Sequence, residues 1–144
     1  MSKPQLINFI IGYGLLILGV GIGGYVTNQI EESLLYQNPS QLMVLKLAIM
    51  KSSHGHTNLF GMLHILVALS FPYLLFPRRM LWWITGGLSL GSFGMSVLLL
   101  TKSFFLFDAK MTGYLSIGIG LCLTGALLAI MTCFVGMVGR LARF

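Results

Sequence analysis

Apolar residues form four long, uninterrupted stretches along this chain, separated by short polar segments. Each stretch holds about 20 mainly apolar residues, the length a helix needs to cross the roughly 30 Å hydrocarbon core of a bilayer. The stretches cover residues 6–28, 57–76, 81–100 and 113–139. None of them shows the in-out alternation of transmembrane β-strands. The pattern therefore predicts an all-α fold, an integral membrane four-helix bundle.

The segments between the stretches indicate how the helices connect. Only Pro77-Arg78-Arg79-Met80 joins the second stretch to the third, so these two helices are predicted to be antiparallel neighbours. After the first stretch, apolar sequence resumes at Gln41, behind Ser40 as a suitable N-cap. Helix two is therefore predicted to start near Gln41, well before residue 57. The whole chain, residues 1–144, is expected to form a single transmembrane domain.

Composition and charge add a membrane orientation to this picture. Hydrophobic residues make up 56% of the chain and charged residues only 8%, whereas soluble domains carry roughly a quarter charged residues. One end of the predicted bundle has basic residues and no acid: Lys3, Arg78, Arg79, Arg140 and Arg143. The other end mixes both signs: Glu31, Glu32, Lys46, Lys51, Lys102, Asp108 and Lys110. The positive-inside rule predicts both termini in the cytoplasm, with a bacterial inner membrane as the expected location.

The net charge of +6 is attributed to this topology and to contact with lipid headgroups, and no nucleic-acid partner is expected.

Glycines are concentrated in the first and third stretches: Gly12, Gly14, Gly19, Gly21, Gly23, Gly24, Gly87, Gly91 and Gly94. In lipid, small residues let helices approach closely. We therefore expect tight packing within the bundle or between copies of the chain, and room for a flat ligand is compatible with it.

All three histidines lie within HGHTNLFGMLH, as His54, His56 and His64. On a helix His54 and His56 point about 200° apart, and no pair has the i, i+4 spacing with which one helix binds zinc. A haem site needs fewer histidines than a zinc site, since one axial histidine and an apolar slot suffice. Because no other helix supplies a histidine, such a haem would have an open iron face or lie between subunits. A copper site with Met50 and Met62 as soft ligands stays open, as does a structural role in which His64 bonds to a serine or threonine of another helix.

The stretch SHGHTNLFGMLHILVALSFP resembles the second-helix motif of the styrene oxide isomerase family, small four-helix membrane proteins that bind haem b as trimers. In that family a histidine ligates the iron, Gly-Met follows seven and eight residues later, and a proline lies near the helix end. These positions fall here on His54, Gly61, Met62 and Pro72. The resemblance implies a homo-oligomer, a trimer in the bilayer, with haem b between neighbouring subunits.

The resemblance also implies site residues and a reaction. The expected cofactor-binding residues are His54, His56, Gly61, Met62 and His64, with His54 as the iron ligand and His56 as its alternative. In the family, ferric haem acts as a Lewis acid on an epoxide oxygen and the epoxide rearranges to an aldehyde. A small apolar epoxide is the implied substrate.

Catalytic residues stay unassigned, because this chain departs from the family pattern. Phe60 stands where the family has an asparagine, and the third helix lacks the aspartate and tyrosine of the family's substrate pocket. A non-catalytic membrane scaffold or assembly protein, or a haem or copper protein with another role, is therefore the alternative function. A transporter has less support, because no acid lies within a span to couple ions.

Overall fold

The computed structural model describes residues 1–35 and 40–142, and that part of the chain is helical with no strand. Its helices are α1 (Lys3–Leu35), α2 (Gln41–Ser70), α3 (Arg78–Phe93), α4 (Leu99–Phe104) and α5 (Ala109–Leu141). A π-helical turn, Gly94–Leu98, joins α3 to α4. The prediction of an all-α fold is confirmed.

Three helical segments are long and apolar enough to cross a membrane: Lys3–Glu32, Arg78–Phe104 and Ala109–Leu141. They contain three of the four predicted stretches, which agrees with a multi-pass membrane protein. Within the described residues α2 is not one of these segments. Two lysines, Lys46 and Lys51, and all three histidines lie along it, and these side chains lower its mean hydropathy.

The two ends of α2 test the boundaries predicted for it. It begins at Gln41, where the Ser40 hydroxyl accepts a hydrogen bond from the Met43 amide at 3.2 Å, so the predicted start and cap are confirmed. It ends at Ser70, and the chain continues as a 3₁₀ turn over Phe71–Tyr73. The predicted stretch to residue 76 was too long as a helix, because Pro72 has no amide hydrogen to continue the ladder.

The helices pack mainly as two pairs, α1 with α2 and α3 with α5. Residues 1–3, 71–79 and 140–142 lie at one end of the bundle, named here the terminal end. Residues 31–35, 40–46 and 104–110 lie at the opposite end, named the loop end. A core of buried apolar side chains lies between α2, α3, the π turn and α5. The outward faces are also apolar, as on Ile17, which is 75% exposed, and this suits helices surrounded by lipid.

Glycines let the backbones approach within each pair. A Cβ atom on Gly12 of α1 would lie 2.9 Å from the carbonyl oxygen of Gly61 on α2, and one on Gly87 of α3 would lie 2.7 Å from that of Gly125 on α5. Both distances are shorter than a real side chain allows. Packing within the bundle is thus a confirmed role for these glycines. Not every glycine packs in this way. Gly14, Gly21 and Gly24 of α1 have no atom within 4 Å of the position that a Cβ atom would take.

Two adjacent glycines of α3 give a matched test of this packing. Gly87→Ala places a methyl group against the Gly125 carbonyl, whereas Gly86 has no neighbour within 4 Å. Overpacking costs about 1–3 kcal/mol, while Gly→Ala at an exposed helix position stabilises by up to about 1 kcal/mol. We expect Gly87→Ala to lower the thermal stability of the detergent-solubilised protein and Gly86→Ala to leave it unchanged or raise it. Equal shifts in the two variants would contradict the close α3–α5 contact.

Candidate functional site

His54 lies half-buried on the face of α2 that packs against α1. Its Nδ1 atom is 2.9 Å from the carbonyl oxygen of Gly19. A carbonyl only accepts hydrogen bonds, so Nδ1 carries the hydrogen and Nε2 holds the lone pair of the neutral ring. The side-chain nitrogen of Asn58 is 3.5 Å from Nε2, which is long for a hydrogen bond. The ring is therefore oriented by α1, and its second nitrogen, Nε2, is only weakly engaged.

Two glycines of α1 make room for this arrangement. A Cβ atom on Gly23 would lie 2.7 Å from Cε1 of His54, and one on Gly19 would overlap the side-chain oxygen of Asn58. Gly19 and Gly23 are one helical turn apart, so their open surfaces form one continuous notch. The glycine-rich first helix thus accommodates a histidine and an amide from α2.

His56 points away from this notch, as its spacing from His54 predicts. It is half-buried, and its Nδ1 lies 2.7 Å from the carbonyl oxygen of Ser52, one turn earlier on the same helix. The two histidines are therefore not placed to share one ion. Across the described residues no group of three or more His, Cys, Asp or Glu side chains could hold a metal ion. An axial haem ligand needs only one histidine, so the absence of such a group does not bear on a haem.

His64 is fully buried and has partners at both ring nitrogens. Nδ1 is 2.6 Å from the side-chain oxygen of Asn8 on α1, and Nε2 is 2.9 Å from the hydroxyl of Ser92 on α3. An iron ligand needs a free nitrogen, so His64 would have to break one of these bonds to serve as one. The structure instead gives His64 the alternative role stated above, a bond to a serine of another helix.

Asn8 completes a polar network that joins three helices. Its side-chain nitrogen donates to the carbonyl of Pro4 at 2.9 Å and to the hydroxyl of Thr85 at 2.7 Å. Its side-chain oxygen is then left to accept the Nδ1 hydrogen of His64. With that hydrogen on Nδ1, Nε2 of a neutral ring can only accept a hydrogen bond. The Ser92 hydroxyl has a single hydrogen, which it shares between Nε2 and the Leu88 carbonyl, each 2.9 Å away. Asn8, Thr85, His64 and Ser92 are all buried, so the network lies inside the bundle.

The remaining predicted residues do not gather around His54. Gly61 faces α1, where it lies against Gly12, and Met62 is 56% exposed on the outward face of α2. Phe60, at the position of the family's asparagine, is a core side chain in contact range of Gly91 on α3. Within one described chain, the five predicted cofactor residues therefore point in several directions. Neighbouring helices orient both His54 and His64, but only His54 keeps one ring nitrogen without a close hydrogen-bond partner.

Sequence reasoning missed three members of the buried network, Asn8, Thr85 and Ser92. A signal for Asn8 was present, because an amide inside an apolar stretch of this length must find partners within the protein. The hydroxyls carry no such signal, since serine and threonine in membrane helices commonly bond to their own backbone. Both hydroxyls do so here as well, with Thr85 donating to the Leu81 carbonyl at 2.8 Å.

The network is tested by replacing its central amide. Asn8→Ala removes the acceptor of His64 and the donor to Thr85, and leaving such buried groups unpaired costs about 1–3 kcal/mol. Asn28, exposed on the same helix, is the control, and Asn28→Ala is expected to change stability by less than about 0.5 kcal/mol. Unfolding free energies would be measured by SDS titration of protein in detergent micelles. Similar stabilities for the two variants would mean that Asn8 does not hold the three helices together.

Comparisons with known proteins leave the family of this chain open. No family model matches the chain, and no curated protein and no solved structure matches it. The contacts of His54, rather than a relative, are therefore what a functional proposal has to rest on.

Proposed function

We propose that this chain is a haem b-binding integral membrane protein in which Nε2 of His54 ligates the iron. The observation that carries the proposal is the 2.9 Å contact from Nδ1 of His54 to the Gly19 carbonyl. Metal-bound histidines characteristically donate their second ring hydrogen to a carbonyl, carboxylate or water, which fixes the ring and makes the ligating nitrogen more basic. His56 has a similar contact to its own helix and is the alternative ligand. His54 is favoured because its orientation is set by tertiary structure.

The outward faces of the α1–α2 pair are apolar and open, which suits contact with a second copy of the chain in lipid. Leu59 and Met62, on the outward face of α2, are both at least half exposed. The face of α1 with Gly14, Gly21 and Gly24 offers open space, and small residues favour close approach of another helix in lipid. We therefore propose that a second copy of the chain covers the cofactor, with the trimer of the resembling family as the proposed assembly.

Epoxide isomerisation is the reaction proposed on the resemblance of the helix-two motif. When bound, ferric haem supplies a Lewis acid that polarises an oxygen atom of the substrate. The chain itself orients the ligand, since Gly19 fixes the imidazole and Asn58 lies beside it. Asn58 is thus the polar side chain next to the ring, whereas Phe60 is in the core and offers no polar group. The proposed substrate is a small apolar epoxide that enters from the lipid.

The ligand assignment is tested by absorption spectra of protein expressed with haem supplied. The parent protein is expected to show a Soret band and a pyridine extract that contains haem b. We expect His54→Ala to abolish the band and His56→Ala to retain it. Gly23→Ala places a methyl group 2.7 Å from the His54 ring, while Gly120→Ala on α5 meets open space. Displacing an oriented ligand weakens metal binding about 10–100-fold, so haem affinity should fall for Gly23→Ala and not for Gly120→Ala.

The other outcomes decide between the alternatives. A band lost in His56→Ala and kept in His54→Ala would move the ligand to His56. A colourless parent protein, despite ample haem, would contradict haem binding and favour the membrane scaffold or assembly protein. A haem-loaded protein that leaves a small aryl epoxide unchanged would separate haem binding from isomerase activity.

We also propose that α2 is a fourth span and that both termini are cytoplasmic. Helix α1 runs from the terminal end to the loop end, and so does the segment from Arg78 to Phe104. If both of these cross the bilayer, the chain must return across it between them. Helix α2 has 30 residues and is about 45 Å long, enough to make that crossing. The basic residues at the terminal end support its cytoplasmic location.

The number of spans is tested by the sides on which the termini lie. We expect green fluorescent protein to fluoresce when it is fused to either terminus of the full chain, because it folds in the cytoplasm and not after export through the general secretion pathway. Alkaline phosphatase inserted next to Phe107, in the exposed loop between α4 and α5, should be active only if that loop is periplasmic. Termini on opposite sides would contradict four spans.

A further inference from the structure

A long apolar groove lies between α3 and α5, on elements that do not contact His54. Its volume is about 710 Å³, and its floor is the close approach of Gly87 and Gly125. Residues that line it include Met80, Trp83, Gly86, Leu90, Leu128 and Thr132. Its two hydroxyls, on Ser89 and Thr132, donate to carbonyls of their own helices at 2.8 and 2.7 Å. The groove therefore presents hydrocarbon and backbone surface with no free hydroxyl hydrogen, which suits a hydrocarbon chain.

The groove covers half of the membrane thickness. It extends along α3 from Met80 to Leu90, which is about 15 Å at the rise of an α-helix. The hydrocarbon core of a bilayer is about 30 Å thick, so the groove matches one leaflet. It begins at the terminal end of the bundle, because Met80 directly follows the turn at residues 71–79. An acyl chain of that leaflet would run in the same direction as the groove and over the same depth.

The mouth of the groove carries positive charge that the protein does not neutralise. Arg79 lies one turn before Trp83 on the same face of α3, and Arg78 is its neighbour in sequence. Neither guanidinium has a hydrogen-bond or ion-pair partner among the described residues. The nearby Arg140, by contrast, donates to the carbonyl of Tyr73 at 2.8 Å. The three acids of the chain, Glu31, Glu32 and Asp108, are at the loop end.

We propose that this groove binds an anionic phospholipid, with one acyl chain between α3 and α5 and the phosphate at Arg78 and Arg79. Charge complementarity selects the headgroup, because a zwitterionic lipid would fill the groove equally well but gain less from the two free arginines. Trp83 is 80% exposed where the groove opens, and tryptophan is enriched at membrane–water interfaces. The site uses none of the residues proposed for haem and is independent of that function.

The proposal is tested with Trp83 as the reporter. The chain has two tryptophans, so Trp82→Phe leaves Trp83 as the sole fluorophore. The full-length variant would be reconstituted in phosphatidylcholine vesicles with increasing amounts of acyl-brominated phosphatidylglycerol or acyl-brominated phosphatidylcholine. We expect the brominated phosphatidylglycerol to quench Trp83 at a lower mole fraction. Each arginine near an anionic surface contributes about a fivefold preference, so Arg78→Gln and Arg79→Gln should each remove about that factor.

A matched pair of glycine variants tests the position of the acyl chain. Gly86→Leu fills the groove from a site with no neighbour within 4 Å, and Gly120→Leu adds the same side chain at an equally open site of α5 outside the groove. Quenching of Trp83 by phosphatidylglycerol should weaken in the first and persist in the second. Equal quenching by both headgroups in the parent would overturn the proposal. So would a Trp83 that neither lipid quenches, which would mean that a second copy covers the groove.

Discussion

The hydrogen bond between His64 and Asn8 sets the positions of the helices on which the rest of the bundle depends. In a lipid environment, apolar burial does not favour one helix face over another, because lipid tails are as apolar as leucine. A buried imidazole and a buried amide do favour one helix face, since any rotation that separates them leaves polar atoms unpaired in apolar surroundings. Ser92 and Thr85 extend the same constraint to α3. One polar cluster thus fixes the mutual rotation of three helices.

The site of His54 follows from that arrangement. Helices α1 and α2 are antiparallel, so a step back along α2 corresponds to a step forward along α1. From the contact of His64 with Asn8, ten residues back leads to His54, and eleven residues forward leads to Gly19. Gly12 and Gly61 meet between these two contacts. The notch that holds the imidazole is therefore placed by a hydrogen bond about 15 Å away along the helix axis.

Local features could be predicted from the sequence better than the face of each helix that points into the bundle. The start of α2 behind Ser40 and the divergence of His54 from His56 follow from capping chemistry and helix geometry alone. The side of a helix that faces inward cannot be predicted in this way, because both sides are apolar and the usual amphipathic signal is absent. Gly12 and Gly14 look alike in the sequence, yet one packs against α2 and the other is open. The burial of Phe60 has the same explanation, since its partner at Gly91 is 31 residues away on α3.

The proposed ligand is positioned almost entirely by backbone groups. The Gly19 carbonyl holds the imidazole of His54, and the adjacent residue, Ser53, donates its hydroxyl hydrogen to the carbonyl of Ser96 at 2.9 Å. Ser96 lies in the π turn between α3 and α4, and such a turn changes the backbone hydrogen bonding of a helix, often at a functional site. This segment of α2 is thus bonded to α1 on one side and to the π turn on the other. Because carbonyls are common to all residues, such a site leaves no side-chain signature beyond the histidine itself and the glycines that make room for it.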